Sequence, residues 1–167
     1  MGTDAPTQCP FCGAQQQYFV EARDWNSDEF NILLSDVART DLKAALQLET
    51  DNAAFYDCAK SAAKKAGDEY SFAKFKALMK VELEHASAIS KFLKISLPEL
   101  EKLMCNADSQ KNTKEGWERE NRAIKAYARF RDEVIESRLK EFFGALVKIE
   151  TDHLDLHAEN LQKIYGE

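Results

Sequence analysis

Two copies of a Glu-x-x-His pattern are the residues in this chain most able to do chemistry. The segment FKALMKVELEH recurs 68 residues later as FGALVKIETDH, with six of the eleven positions identical. Residues i and i+3 are neighbours on one face of a helix, so each copy places a carboxylate beside an imidazole. Such a pair can bind a first-row transition metal. The two pairs are Glu82 with His85 and Glu150 with His153.

A second repeat pairs a glutamate with a tyrosine. Glu49 precedes Tyr56 by seven residues, and Glu120 precedes Tyr127 by the same interval. Seven residues make about two helical turns, so each tyrosine shares a face with its glutamate. We expect Tyr56 and Tyr127 either to donate hydrogen bonds to the groups around a metal or to serve as core aromatics, and the matching positions favour the first.

The apolar periodicity predicts an all-α chain that repeats one helical hairpin. Its long helices are expected at about 36–65, 72–94, 113–136 and 138–165, with Thr113 capping the third. Shorter helices are expected at 27–34 and 97–104, the latter from a capping-box pattern that starts at Ser96. A bundle of four helices with a long central crossover follows. We divide the chain into an N-terminal segment, 1–35, and the bundle, 36–167.

Four carboxylates inside a bundle would repel one another and suffer desolvation unless cations neutralise them. Two divalent ions balance four carboxylates, and two imidazoles complete the coordination. An inward Glu on two helices with Glu-x-x-His on the other two is typical of di-iron and di-manganese bundles. The expected ligands are Glu49, Glu82, His85, Glu120, Glu150 and His153. His157, one turn past His153, is expected to be a core histidine rather than a ligand.

The cysteines form one close pair and two isolated residues. Cys9 and Cys12 lie in a CxxC knuckle, but a four-thiolate site needs two more ligands. The knuckle is therefore a flexible remnant, a zinc or iron site shared between chains, or a redox dithiol. Cys58 and Cys105 do not suggest a disulfide framework, so we expect reduced thiols, with Cys58 simply packing against its neighbours.

Composition narrows the function classes. The chain has 167 residues and a net charge of -6, which argues against nucleic acid as a partner. No apolar stretch approaches the roughly 18 residues of a membrane span, and the N-terminus lacks the apolar core of a signal peptide. A cytoplasmic protein without a membrane partner is expected.

The glutamate, tyrosine and Glu-x-x-His motifs together resemble those of rubrerythrins, in the ferritin-like superfamily, over about 36–165. The Cys9–Cys12 knuckle resembles half of the rubredoxin iron site that rubrerythrins carry. The resemblance implies a centre of two iron ions, with manganese as the other candidate, that reduces hydrogen peroxide with electrons from a redox donor protein. It also implies a homodimer or higher homo-oligomer.

One position departs from the rubrerythrin pattern. Rubrerythrins have an extra glutamate three residues after the third-helix glutamate, where this chain has Ala123. A six-ligand centre is closer to that of ferritins, which oxidise ferrous iron with oxygen or peroxide. The alternatives are therefore a ferroxidase or iron-storage subunit, or a non-enzymatic bundle that binds a partner through Cys9 and Cys12.

Overall fold

A computed structural model describes residues 5–9, 14–26 and 28–165 of the chain. Four long helices dominate it, and they pack as two hairpins, α1 with α2 and α3 with α4, while α1 also contacts α3. The helices are α1 Asp36–Ala66, α2 Glu69–Leu93, α3 Ser109–Glu133 and α4 Ser137–Tyr165. The predicted all-α chain of two hairpins, packed as a four-helix bundle, is thereby confirmed.

Short polar side chains begin three of the helices. Ser35 Oγ accepts a hydrogen bond from the Ala38 amide, and the Asp68 and Asp108 carboxylates do the same for the first turns of α2 and α3. Each acceptor satisfies an amide that has no partner within its own helix. Gly67 ends α1 at φ 72°, a left-handed conformation that suits glycine and turns the chain tightly into α2.

The segment 94–108 crosses the whole length of the bundle. Tyr127 of α3 reaches Glu49 of α1, and Tyr56 of α1 reaches Glu120 of α3, so these two helices run antiparallel. Because α2 is also antiparallel to α1, α3 starts at the opposite end from the last turn of α2. A 25-residue helix is about 37 Å long, and only a largely extended connection of this length spans it comfortably.

Three predictions of local structure are wrong. The expected helix at 97–104 is absent, because a helix there would shorten the crossover and because Leu97 and Met104 face solvent instead of a core. α3 begins four residues before Thr113, since the Asp108 carboxylate caps it and the Thr113 hydroxyl bonds back to Ser109 within the helix. Residues 28–34 form a turn and irregular backbone rather than a helix.

A disulfide joins Cys58 on α1 to Cys105 in the crossover. The expectation of two reduced, isolated thiols, with Cys58 only packing, is therefore wrong. The two residues are 47 positions apart, and they meet because the crossover runs along the α1 face that carries Cys58.

The core consists of two apolar clusters, one towards each end of the bundle. The larger contains Leu42, Ile89, Tyr127 and Phe143, and the smaller contains Phe55, Tyr56, Phe75 and Leu78. On α1 and α2 the predicted metal-binding glutamate lies between the residues that enter the two clusters, and on α3 and α4 it adjoins the residues that enter the larger cluster. The packing therefore holds the four glutamates in one layer.

The N-terminal segment lies against the bundle. Gln8 Nε2 donates to Asp152 Oδ2 at 2.5 Å, Arg138 forms a 3.1 Å ion pair with Glu29, and the Phe30 ring packs edge-on against Phe92. Gln8 pairs with Gln15 in an isolated antiparallel bridge. Cys12 lies outside the described residues, so a metal site at Cys9 and Cys12 stays a prediction.

No helix within the described part of the chain is both long enough and apolar enough to cross a membrane.

Candidate metal centre

Each of the four helices contributes one glutamate to the middle of the bundle, and α2 and α4 each add a histidine one turn later. The four glutamate side chains are completely buried, and the histidines are 5% and 8% exposed. The structure thus brings together all six residues expected at a metal centre, namely Glu49, Glu82, His85, Glu120, Glu150 and His153.

The six residues form two overlapping groups, each of which could hold a metal ion. Within each group the potential ligand atoms all lie within 4.8 Å of one another. Glu49 and His85 belong only to the first group, Glu120 and His153 only to the second, whereas Glu82 and Glu150 belong to both. The shared pair is therefore placed to bridge two ions, with one further glutamate and one histidine beside each.

The histidine nitrogens point at the shared carboxylates. His85 Nδ1 lies 3.1 Å from Glu150 Oε1 and 3.5 Å from Glu49 Oε2. His153 Nδ1 lies 2.8 Å from Glu150 Oε2 and 3.4 Å from Glu82 Oε1. Each imidazole therefore faces carboxylates from other helices as well as its own, as the ligands of one ion would.

Many of these buried polar atoms have no hydrogen-bond partner among the described residues. They include both oxygens of Glu82, Nε2 of His85, and one oxygen each of Glu49 and Glu120. His85 Nδ1 and Glu150 Oε1 form no hydrogen bond either, although only 3.1 Å separates them. Leaving a buried polar group unsatisfied costs roughly 1–3 kcal/mol, and more for a charged group. A cluster of such atoms facing one point is the donor set that cations would satisfy, so the residues fit a pair of metal ions.

The two tyrosines bond across the hairpins rather than along their own helices. Tyr56 Oη of α1 donates to Glu120 of α3, and Tyr127 Oη of α3 donates to Glu49 Oε1 of α1 at 2.6 Å. Burial, and then the carboxylate each one touches, raise the pKa of both hydroxyls well above the ordinary value, so both remain protonated donors. Both tyrosines therefore donate hydrogen bonds to the glutamates, and their rings also pack in the apolar clusters.

Without metal, the layer divides its protons unevenly. Burial raises the pKa of Glu49 and of Glu120 well above the ordinary glutamate value. Burial acts on Glu82 in the same direction, but the facing imidazoles of His153 and His85 outweigh it and lower the pKa of Glu82. For the histidines, burial lowers the pKa, but the facing carboxylates outweigh it and raise it well above the ordinary value. In the metal-free protein, protons bound to these glutamates and histidines therefore offset the carboxylate charge that metal ions would otherwise neutralise.

The duplication breaks down at the end of the bundle that contains Tyr56. There the interior carries polar groups or glycine at five positions whose counterparts in the other half are apolar. The pairs are Lys74 with Phe142, Thr113 with Leu42, Gly116 with Ala45, His157 with Ile89 and Asn160 with Phe92. Helical periodicity predicts that all ten residues face the interior. Only a comparison between the two halves could therefore have identified these five positions from the sequence.

His157 is the member of this set whose side chain contacts Tyr56. Its Nε2 is 2.9 Å from Tyr56 Oη, and the two rings stack with centroids 5.9 Å apart. Because Tyr56 directs its hydrogen to Glu120, the consistent assignment has His157 Nε2–H donating to Tyr56. Burial and the charge of Lys74 lower the pKa of His157 to about 3, so the ring is neutral. His157 therefore supports Tyr56 and is not in either metal group, as expected of a core histidine.

Gly116 makes the room that His157 occupies. A Cβ atom at Gly116 would lie 2.7 Å from two atoms of the His157 ring. Lys74 lies farther out and donates from Nζ to Thr113 Oγ1 at 2.8 Å, and burial lowers its pKa to about 8. A glycine inside a helix lowers the stability of the protein by about 1 kcal/mol relative to alanine. The space that Gly116 leaves for the His157 ring explains why a glycine occupies this position.

We predict about two bound metal ions per chain. Replacing both shared carboxylates in Glu82→Ala/Glu150→Ala should abolish binding of both ions, because each group loses two of its four ligands. Elemental analysis of the purified variants measures this. Glu84→Ala, on the exposed face of α2, is the matched control and should keep its metal. Full occupancy in the double variant would contradict the assignment.

The metal-free protein should become more stable as pH falls from about 8 to about 6.5. Glu49, Glu120, His85 and His153 all have raised pKa values, so the folded chain binds more protons than the unfolded chain in this range. Two lowered pKa values oppose the trend at the ends of this range, that of Lys74 near pH 8 and that of His157 near and below about 6.5.

Urea unfolding at several pH values tests this for metal-free and metal-loaded protein. Metal loading should reverse the slope, because protons compete with the ions for the same ligands. Metal-free protein that loses stability as pH falls from about 8 to about 6.5 would refute the assigned pKa directions.

Gly116→Ala should destabilise the protein by about 1–3 kcal/mol, because the added Cβ overlaps the His157 ring. Gly116→Ala/His157→Ile installs the Ala45 and Ile89 pair of the other half, so it should recover part of the loss. Gly144→Ala is the control: its Cβ would meet only Arg131 Cδ, at 3.8 Å, and should stabilise α4 by up to about 1 kcal/mol. Thermal unfolding measures both replacements. If Gly116→Ala and Gly144→Ala had equal effects on stability, the close approach of Gly116 to His157 would not explain the glycine.

Comparison with known proteins identified no relative of this chain. No family model matches the chain, and neither the curated proteins nor the solved structures include a significant match. The assignment of the site therefore depends on its own side chains, their burial and their distances.

Proposed function

We propose that the protein is a di-iron oxidoreductase of rubrerythrin type that reduces hydrogen peroxide to water. The observation that carries the proposal is the pair of buried glutamate and histidine groups that share Glu82 and Glu150. The resemblance of the sequence motifs to those of rubrerythrins supports the same function.

The donor set favours iron, with manganese as the second candidate. Each group offers three carboxylates and one imidazole, and neither contains a thiolate. Carboxylate oxygens with a nitrogen suit iron and manganese, whereas soft metals prefer thiolates. Redox chemistry on peroxide is a reaction that such a centre can support.

The burial of the six candidate ligands favours metal ions that stay bound as a cofactor over iron that is stored and released. None of the six residues is more than 8% exposed, and the hydrogen bonds from Tyr56 and Tyr127 hold two of the glutamates in place. An iron-storage protein must load and release iron repeatedly, and a fully buried set of ligands would slow that exchange. A buried set of ligands suits metal ions that stay bound while they gain and lose electrons.

The chain's own residues prepare the site for peroxide. Tyr56 and Tyr127 keep Glu120 and Glu49 oriented, while the apolar clusters above and below exclude water. Bound in the ferrous state, two ions would supply the two electrons that cleavage of the O–O bond requires. A redox donor protein would then restore them.

The centre lacks a spare carboxylate one turn beyond the glutamates of α1 and α3. Ala123 follows Glu120 and packs in the larger cluster, while Asn52 follows Glu49 and lies 3.5 Å from Arg119 Nη1. Neither residue can take over a metal ion as an extra glutamate would. The ions should therefore keep their ligands when the oxidation state changes.

A cavity of about 390 Å³ reaches His85 and would give a small oxidant a way to the centre. It lies between the N-terminal segment and helices α2 and α4, and His85 forms part of its wall. Trp25, Phe30 and Phe142 also line it, so the passage is largely apolar. Peroxide and oxygen are both small enough to use it.

The diferrous protein should react faster with hydrogen peroxide than with oxygen. Rapid mixing of the anaerobic ferrous protein with each oxidant, followed by absorbance, measures the two rates. The Glu82→Ala/Glu150→Ala variant is the control and should give neither reaction, because it cannot hold the ions. A faster reaction with oxygen, together with a large hollow oligomer instead of a dimer or small oligomer, would place the protein among the iron-storage proteins.

A further inference from the structure

The Cys58–Cys105 disulfide lies next to the residues that support the metal centre. Cys58 follows Tyr56 by two residues on α1, and Cys105 packs against the small apolar cluster that contains Phe55 and Tyr56. Tyr56 in turn bonds Glu120. The small cluster and the Tyr56–Glu120 hydrogen bond therefore connect the disulfide with a glutamate of the proposed di-iron site.

Contacts other than the disulfide also hold the crossover in place near Cys105. Asn106, the next residue after Cys105, donates from its backbone amide to Asn112 Oδ1 at 2.9 Å and accepts from Asn112 Nδ2 at 2.8 Å. Leu103, two residues before Cys105 in the sequence, packs against the same small cluster. Reduction would therefore leave two thiols close together, ready to re-form the bond.

The disulfide is open to a reductant. Cys58 and Cys105 line a surface cavity of about 460 Å³ together with Lys65, and Cys105 borders a second cavity with Lys111 and Arg119. Thiol–disulfide exchange proceeds through a thiolate, which nearby positive charges favour. A small thiol or the dithiol of a redox protein could reach the bond from this side.

We infer that Cys58 and Cys105 form a redox-active pair that delivers electrons to the metal centre during peroxide reduction. This inference rests on the proposed function. A dithiol gives up two electrons and two protons as its disulfide forms, and hydrogen peroxide takes up two of each to become two molecules of water. The sum is one peroxide and two thiols giving two waters and one disulfide. An external dithiol then reduces the disulfide by exchange and is itself oxidised.

The test counts thiols as peroxide is added. Cys9→Ser/Cys12→Ser removes the N-terminal thiols, so that only Cys58 and Cys105 titrate. The reduced variant, with and without iron, receives one equivalent of peroxide, and the thiols are then counted with a chromogenic disulfide and the bond is located by peptide mass analysis. We expect both thiols to disappear rapidly in the iron-loaded protein and far more slowly in the metal-free protein.

Turnover with a dithiol reductant gives the second measurement. Adding Cys58→Ser/Cys105→Ser to the same background should leave the first reaction of the ferrous protein with peroxide intact but abolish continued turnover. If the iron-loaded protein consumes peroxide while both thiols persist, or if iron does not accelerate their loss, the inference is wrong and the proposed function stands. If the ferrous protein does not consume peroxide at all, the proposed function fails, and this inference fails with it.

Discussion

The structure depends on one costly arrangement, four carboxylates held in a single buried layer. Unneutralised charges cannot remain there, because each loses its hydration and repels the others. Without metal, His85 and His153 supply part of the compensating charge, while burial drives Glu49 and Glu120 towards their protonated forms. A fold that gathers these groups between two tightly packed apolar clusters gives up stability at this layer, which is the usual sign of a functional site.

The crossed tyrosine bonds explain how the layer keeps its geometry. Each hairpin buries much of its surface internally, so the relation between the hairpins needs specific contacts of its own. Tyr56 and Tyr127 provide them, because each is anchored on one hairpin and donates to a glutamate of the other. The same two bonds require α1 and α3 to run antiparallel, which in turn forces the long crossover.

Sequence reasoning succeeded where the pattern is local and failed where it depends on the path of the chain. The spacing within Glu82-x-x-His85 places both side chains on one helix face whatever the tertiary structure, so the six centre residues could be identified from periodicity and repetition. The tyrosine partners could not, since they depend on the direction of α3 relative to α1. The disulfide was missed for the same reason, because Cys105 meets Cys58 only once the crossover is extended. The capping pattern at Ser96 was a real local signal, but the distance to be spanned outweighed it.

The divergence between the two halves bears on how the two metal positions would work. The group with Glu120 and His153 is backed by Tyr56, neutral His157 and, farther out, Lys74, whereas the group with Glu49 and His85 is backed by Tyr127 and an apolar core. Polar surroundings stabilise charge that an apolar core does not, so two ions with matched ligands would still differ in their affinity for electrons. The disulfide lies on the Tyr56 side and the cavity at His85 on the other. The two halves of the repeated hairpin therefore give the centre two distinct sides, and under the proposed function one side would receive electrons and the other would admit the oxidant.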